Sequence, residues 1–458
     1  MFSKTIDEIH KIVGGILTLS KESKDLQITG ITYDTRKIVP QGIYVAFDGE
    51  KVDGHNYLDE AYENGARLAI ISNQKYQQSK ISNILVDDPT LAVSLLAKAY
   101  RQELNAKIIG VTGSNGKTSC KDFLSSILAS IAPTYKTQGN HNNELGVPLT
   151  LLSMDLSDKF GVIEMGMENF DDIHYLNDMV KQDAAIITNV GIAHLANLKS
   201  IDNIARAKFE IIDSLANNSL FIYYGDDLVL KKISKEKNLT NLSVKTFGLS
   251  KDNTMYPTLF IQNENSITFQ TNYSDFKFNA MTIGKHQLLN IMAAMLYAYD
   301  IGLSDEDIQK GLLKYEPTKM RNTIEHISKF TFLNDAYKSN PQSAICALDT
   351  FELMKSKYKI LIFADMLDLG SDKKKYHYDL GCDICNYDYQ ELLTYGNLSK
   401  EILKGAKDNN KDKIYKHFNN INDIVDYLND NSNEEITILL KGSRGMALEK
   451  ILEEIKRR

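Results

Sequence analysis

The chain has 458 residues, 43% of them hydrophobic and 25% charged, and at about 150 residues per domain this length predicts three domains. Lys and Arg number 53 against 60 Asp and Glu, giving a net charge of −7. That balance excludes intrinsic disorder, collagen-like repeats and a disulfide scaffold, and it makes a poor generic binder of nucleic acid or of an anionic membrane.

The opening MFSKTIDEIHKIVGG lacks the apolar stretch and small-residue site of a secretory signal. No apolar run reaches the roughly 18 residues of a bilayer span, so no stable membrane insertion is expected. In residues 1–104, ITYDTRKIVPQGIYVAF predicts strand, turn and strand, broken at Pro40, Gln41 and Gly42. LDEAYENGARLAIIS predicts a helix stopped at Gly65 and then a strand. A new pattern starts at Lys107. KIIGVT is a buried-type strand, GSNG a turn, and KTSCKDFLSSILASI a helix whose Cys120, Phe123, Leu124, Ile127, Leu128 and Ile131 share one apolar face. FGVIEMG, AAIITNVG and SLFIYYG continue as apolar strands between helices, the pattern of a mostly parallel sheet covered on both faces. Residues 256–283 predict consecutive antiparallel strands, and His286 to Tyr299 a helix. From about Thr318 the α/β alternation returns, with FTFLND, YKILIFAD, ELLTYG and EITILLKGS as strands. The expected division is 1–104, 105–317 and 318–458. Cys120, Cys346, Cys382 and Cys385 fit a reducing, cytoplasmic setting, and the lone Cys382–Cys385 pair lacks further zinc ligands at recognisable spacing.

The strongest motif is Gly110-Val111-Thr112-Gly113-Ser114-Asn115-Gly116-Lys117-Thr118, between a strand and a helix. Its glycines let backbone amides close around phosphate oxygens, Lys117 would sit on the β- and γ-phosphates, and the Thr118 hydroxyl would ligate Mg²⁺. The first glycine of the usual pattern is displaced, with Val111 in its place and Gly110 one residue early. Glu164 ends the strand GVIEMG and His194 follows IITNVG, both at strand ends suited to a metal. Taken alone, Glu164 is equally open to a solvent-facing role, and a lone histidine such as His194 is more often structural or exposed than a ligand. Lys208 lies on the apolar stripe of SIDNIARAKFEIID, with Ile201, Ile204, Ala205, Ile211 and Ile212. Spacing alone favours a stem packed on the core with its amine reaching water over a lysine aimed into a site. Asn290, within the apolar helix GKHQLLNIMAAM, needs polar partners if buried, which an adenine edge or backbone could supply.

These residues and their order resemble the Mur ligases, ATP-dependent amide ligases of peptidoglycan precursor synthesis. VTGSNGKTS is the loop shared by the superfamily, and TQGNHNNELGVPLTLL (137–152) is similar to the dipeptide-adding branch. EMGMENFDDIHYL, TNVGIAHL, ARAKFEI, NDAYKSNPQS, ADMLDLG and LLKGSRGMALE follow in the family's order, and YDTRKIVPQGIYVAFDGEKVDGHNY resembles its uridine-nucleotide domain. The resemblance implies an α/β protein of three domains. These are a small uridine-nucleotide-binding α/β domain, a central P-loop ATPase domain with a mostly parallel sheet plus a small antiparallel one, and a Rossmann-like C-terminal domain that closes over the site. It implies ATP, UDP-MurNAc-tripeptide and D-Ala-D-Ala as partners, two Mg²⁺ ions, and a monomer that does not bind nucleic acid.

By the same resemblance, Gly113, Ser114, Asn115, Gly116, Lys117, Thr118, Asn290, Arg321 and Asp335 would bind ATP. Thr118, Glu164, His194 and a CO₂-carbamylated Lys208 would hold metal, and Lys117, Lys208, Arg321 and His194 would serve catalysis. Asp34, Thr35 and Arg36 would contact the uridine nucleotide, while Asn140, Asn142, Asn143, Tyr337 and Asn340 would line the peptide and closing surfaces. Gln287, Lys338 and Asn334 depart from the family pattern, where Asn, Asn and Asp are usual. A tripeptide-forming or folylpolyglutamate ligase, or a non-ligating P-loop ATPase, are the alternative readings. TQGNHNNELGVPLT argues against the other ligases, and the C-terminal motifs against the ATPase.

Overall fold

The computed structural model describes residues 2–49, 52–431 and 435–458, so Glu50 and Lys51 of the uridine-nucleotide motif lie outside the described residues. Contacts divide the chain into two units. One comprises Met1–Thr112, Ile131–Ile186 and Phe209–Phe221, and the other Gly113–Ser130, Ile187–Lys208 and Ile222–Arg458.

In the first unit, the β-branched and aliphatic runs IYV and LAII are buried throughout and form the middle of a five-stranded sheet. Ile31–Thr32, Ile43–Val45, Leu68–Ile71 and Ser82–Leu85 run parallel, and Ile16–Thr18 pairs antiparallel with the last of them. The expected helix before Gly65 is Leu58–Glu63, and its Leu58 and Ala61 pack under Tyr44, Ala69 and Ile71. Thr134–Lys136, Phe160–Glu164 and Lys107–Thr112 form a second parallel set. Their register puts Glu164 opposite Val111, so the carboxylate stands at the strand end that leads into the glycine turn.

In the second unit, the helix after the turn is Lys117–Ala129. Cys120, Phe123, Leu124, Ile127 and Leu128 are buried as expected. Ile131 is 43% exposed, because the helix stops at Ala129 and frees it from the apolar stripe. This helix packs against Lys285–Asp300 and Asp305–Leu313. It also holds the segment leading to Arg321. Thr318 donates its hydroxyl to Asp122 Oδ2 at 2.7 Å, and Tyr315 stacks on Phe123 with centroids 3.8 Å apart. The antiparallel strands are Pro257–Gln262, Ile267–Thr271 and Ser274–Ala280.

The C-terminal sheet runs in the order Thr323–Ile327, Phe330–Asp335, Ile436–Lys441, Tyr358–Ala364, Glu391–Tyr395, Ile414–Phe418. All neighbours are parallel except the first pair. Two buried cores cover its faces, one around Phe332, Ile362 and Leu440, the other around Leu333, Leu361 and Leu439.

Helices Lys373–Ile384 and Ser399–Asn409 meet through paired glycines. A Cβ on Gly381 would lie 2.1 Å from the Ile402 carbonyl oxygen, and one on Gly405 2.2 Å from that of Tyr378. Backbone cannot yield as a side chain does, so Gly405→Val should destabilise the protein by about 1–3 kcal/mol. A thermal melt should show this as a clear drop in midpoint, and an unchanged melt would contradict the packing described.

Candidate functional site

The glycine turn is shaped by what stands against it. Gly113 has φ +153° and a Cβ there would fall 1.9 Å from Thr188 Oγ1, while Gly116 has φ +78° and its Cβ would fall 2.4 Å from Asn290 Oδ1. Neither position has room for a side chain, and Gly116 needs the left-handed backbone besides. The turn is braced from the segment after Ala184–Ile187. Ser114 N donates to Asn189 O at 3.0 Å and Asn115 N to Asn189 Oδ1 at 2.9 Å. The Thr188 hydroxyl and Asn189 Nδ2 both donate to Asn115 O, at 2.5 and 3.0 Å. Gly191 N donates to Ser114 Oγ at 2.9 Å. Lys117 Nζ donates to Gly113 O at 2.7 Å, which draws the ammonium back over the turn at the start of an α-helix. A helix start, a glycine turn and an overhanging ammonium are the elements from which phosphate sites are built.

Basic groups gather in the same unit. Lys208 is 2% exposed, so the reading in which its amine reaches water is overturned. The helix carrying it ends at Phe209 and the short 3-10 turn Glu210–Ile212 follows; Ile204, Ala205 and Ile211 of the expected stripe are buried, whereas Ile201 at the helix start is 37% exposed. Burial, and then the charges of Lys117 and Lys338, push its ammonium well below the ordinary lysine range. His194 adopts a left-handed backbone at φ +67°. Burial, reinforced by Lys338, Lys208 and Lys117, takes its imidazole down to about 3. At neutral pH it is therefore an uncharged ring, the form that ligates metal.

In the other unit Glu164 is 1% exposed, accepts from Asn142 Nδ2 at 2.8 Å, and has its backbone amide bonded to Thr137 Oγ1 at 2.9 Å. The buried Glu164 carboxylate in this unit, and in the other the buried Thr118 hydroxyl and the neutral His194 ring, are each hard or borderline donors of the kind that suit Mg²⁺. Lys208 as an amine does not fit that donor set.

The remaining expected residues have definite placements. Asn290 is buried against Gly116 and donates from Nδ2 to Gln287 Oε1 at 3.1 Å. The Arg321 guanidinium lies 4.3 Å over the Tyr337 ring, and its buried Nε has no acceptor. Asp335 Oδ2 accepts from Lys441 Nζ at 2.6 Å and Oδ1 from Asn322 N at 3.1 Å, so both oxygens are already engaged. Asn340 caps the helix Pro341–Glu352 and donates from Nδ2 to Asn115 Oδ1 at 2.8 Å. Asp34 and Arg36 bond each other, which holds the Asp34 carboxyl down to about 2, and the Thr35 hydroxyl donates to Glu60 at 2.6 Å. Asn140 is exposed, and Asn143 Oδ1 accepts from Gly146 N at 3.0 Å.

Sequence reasoning missed Thr188, Asn189, Gln342 and Lys441. The first two lie inside the quoted TNVG, where polar residues at the end of an apolar strand were the available signal. Gln342 lies inside the quoted NDAYKSNPQS, and its Oε1 accepts from Asn115 Nδ2 at 3.1 Å.

Three family models match in order: "Mur ligase family, catalytic domain" over residues 27–106, "Mur ligase middle domain" over 111–298, and "Mur ligase, glutamate ligase domain" over 320–444. The UDP-N-acetylmuramoyl-tripeptide–D-alanyl-D-alanine ligase of Bacillus subtilis (strain 168) is 34% identical over 99% of each chain. That of Escherichia coli (strain K12) is 28% identical over 100% of this chain and 99% of its own. A crystal structure of MurF from Acinetobacter baumannii superposes with a TM-score of 0.88 at 26% identity, covering both chains in full (100% each).

The close approach at Gly113 makes a direct forecast. Gly113→Ala should weaken Mg-ATP binding by about tenfold or more in a calorimetric titration, and should lower the melting temperature as well, because the added methyl meets Thr188. Undiminished binding would mean that the loop does not hold the phosphates.

Proposed function

The chain belongs to the Mur ligase family, and from that premise we infer that it is an ATP-dependent ligase joining D-alanyl-D-alanine to UDP-N-acetylmuramoyl-tripeptide in peptidoglycan precursor synthesis. The end-to-end likeness to curated ligases of that specificity carries the reading. It covers all three family-model segments in order, which a non-ligating ATPase has no reason to share.

The chemistry follows from the substrates. A carboxylate and an amine do not condense unaided, because oxide is a poor leaving group. The tripeptide's terminal carboxylate oxygen attacks the γ-phosphorus of ATP, the bond to ADP breaks, and an acyl phosphate results. The deprotonated amine of D-alanyl-D-alanine then attacks the acyl carbon. Phosphate leaves with the bonding pair, and the amide forms. The first step brings two anions together, and positive charge at the γ-phosphate lowers that barrier. Lys117, drawn over the turn, supplies one such charge, and Arg321 a second. The unused Nε of Arg321 supports that role.

Mg²⁺ supplies further neutralisation of phosphate oxygens when bound, held by Thr118, Glu164 and His194, and we assign two ions to the site. Lys208 joins them by modification. Its burial favours the neutral amine, which can attack CO₂, form an N–C bond, lose a proton and end as an anionic carbamate. Residues 1–104 take the uridine nucleotide through Asp34, Thr35 and Arg36. Residues 105–317 take ATP, and residues 318–458 bring in the dipeptide and exclude water. Asn140, Asn142 and Asn143 line the peptide path, and Asn142 also steadies Glu164. A monomer working in the cytoplasm, where ATP and nucleotide sugars are available, completes the proposal. No helix among the described residues is long and apolar enough to cross a membrane.

Phosphate release from ATP should require both UDP-MurNAc-tripeptide and D-alanyl-D-alanine, and equal release without either would favour a plain ATPase. Lys208→Ala should lose at least about a hundredfold in turnover, and added bicarbonate should restore nothing, since the attachment amine is gone. Turnover like the wild type's in that variant would remove the carbamate. Lys117→Ala should abolish turnover with an unchanged thermal melt.

A further inference from the structure

The segment from Asp335 to Gln342 is fastened at both ends. Behind it, the Lys441 ammonium, 1% exposed, donates to Asp335 Oδ2 at 2.6 Å, to Lys338 O at 2.8 Å and to Asp335 O at 3.2 Å. In front, Asn340 Nδ2 donates to Asn115 Oδ1 at 2.8 Å, and Asn115 Nδ2 donates to Gln342 Oε1 at 3.1 Å. A Cβ on Gly191, whose amide braces Ser114, would fall 2.3 Å from the same Gln342 Oε1. The segment thus lies across the glycine turn, and Lys338 sits on it with its own carbonyl pinned and the contact to Asn115 only two residues ahead.

The Lys338 side chain has no acceptor of its own. It is half-buried, and among the described residues its ammonium makes no hydrogen bond. Its charge acts on both Lys208 and His194, as the charge of Lys117 does, so the two ammonium groups serve one neighbourhood. The nearby carboxylate of Asp335 is already shared between Lys441 and the Asn322 amide. A half-buried ammonium on a segment tied to the glycine turn, with no acid partner among the described residues, suits a phosphate. The family resemblance leads one to expect Asn at this position, so the lysine is a departure from that pattern.

We propose that Lys338 is a further phosphate-binding residue, which grips the terminal phosphoryl group of ATP from the side opposite the glycine turn. The assignment rests on the nucleotide reading above. Lys117 approaches the β- and γ-phosphates from the helix side. Lys338 comes from a separate segment and meets the group that only ATP carries, so it discriminates ATP from ADP. It adds a third positive charge, beside Lys117 and Arg321, where the tripeptide carboxylate must approach an anion.

The test compares nucleotides. Calorimetric titration with Mg²⁺ is run on the full-length wild type, Lys338→Met and Lys338→Arg, using ADP and the β,γ-imido analogue of ATP. Lys338→Met should weaken the analogue by about tenfold or more and ADP by less than about twofold, and Lys338→Arg should recover most of the loss. Equal weakening of both nucleotides would make Lys338 a merely structural residue, and no weakening of the analogue would dismiss it as a ligand. Lys338→Gln, which keeps a polar side chain of similar reach, replaces the Met variant should the latter not fold. A wild type that binds neither nucleotide would bring down the ligase reading itself, whereas normal wild-type binding with an indifferent Lys338→Met defeats only this assignment.

Discussion

Like charges crowded out of water are the constraint on which this protein turns. Two unit charges about 4 Å apart repel by about 4 kcal/mol at an effective dielectric near 20, and burial adds a desolvation cost for each. Lys117, Lys208 and Lys338 share one neighbourhood with His194, and the chain meets the cost in two ways. The His194 ring is uncharged at neutral pH, and burial shifts Lys208 toward its neutral amine. Lys117 leans on a backbone carbonyl of the turn. The positive charges of Lys117 and Lys338 favour the arrival of anions in that neighbourhood. Binding energy and relief of self-repulsion then act in the same direction, which is how a nucleotide triphosphate and a carboxylate can be accepted together.

The surrounding fold keeps that recess from relaxing. The two turn glycines are hemmed in by Thr188 and Asn290, and the Asn115 carbonyl is held by two donors at once. Asp122, on the helix that follows the turn, holds Thr318, and three residues later the chain presents Arg321 over Tyr337. Phosphate contacts and the arginine are therefore referenced to one helix, Lys117–Ala129.

Much of this was legible in the residues alone. The strand, turn and helix around Gly113–Thr118 carry their own periodicity, and the antiparallel strands of 257–280 alternate as such strands should. Three of the missed strands, Thr134–Lys136, Thr323–Ile327 and Ile414–Phe418, lie at sheet edges and bury few side chains, so no apolar run announces them. Ile131 shows the converse error, in which a pattern persisted one step beyond the hydrogen bonds that gave it meaning. Lys208 is the instructive case. Spacing placed it correctly on the apolar stripe, but a lysine's long stem usually carries its charge outward. Only packing decides otherwise. Gln342 and Lys441 act through partners far away in the chain, a relation that no local pattern encodes.

Lys441 has a consequence of its own. An ammonium offers three protons directed to the corners of a tetrahedron, and here three separate oxygens, two from Asp335 and one from Lys338, take them up. A guanidinium is flat and forked, so arginine would keep the charge and lose the shape, while glutamine would keep a donor and lose the charge. The site admits no substitute among the twenty side chains, and a chain that carries something else there must route its backbone differently between strand and helix.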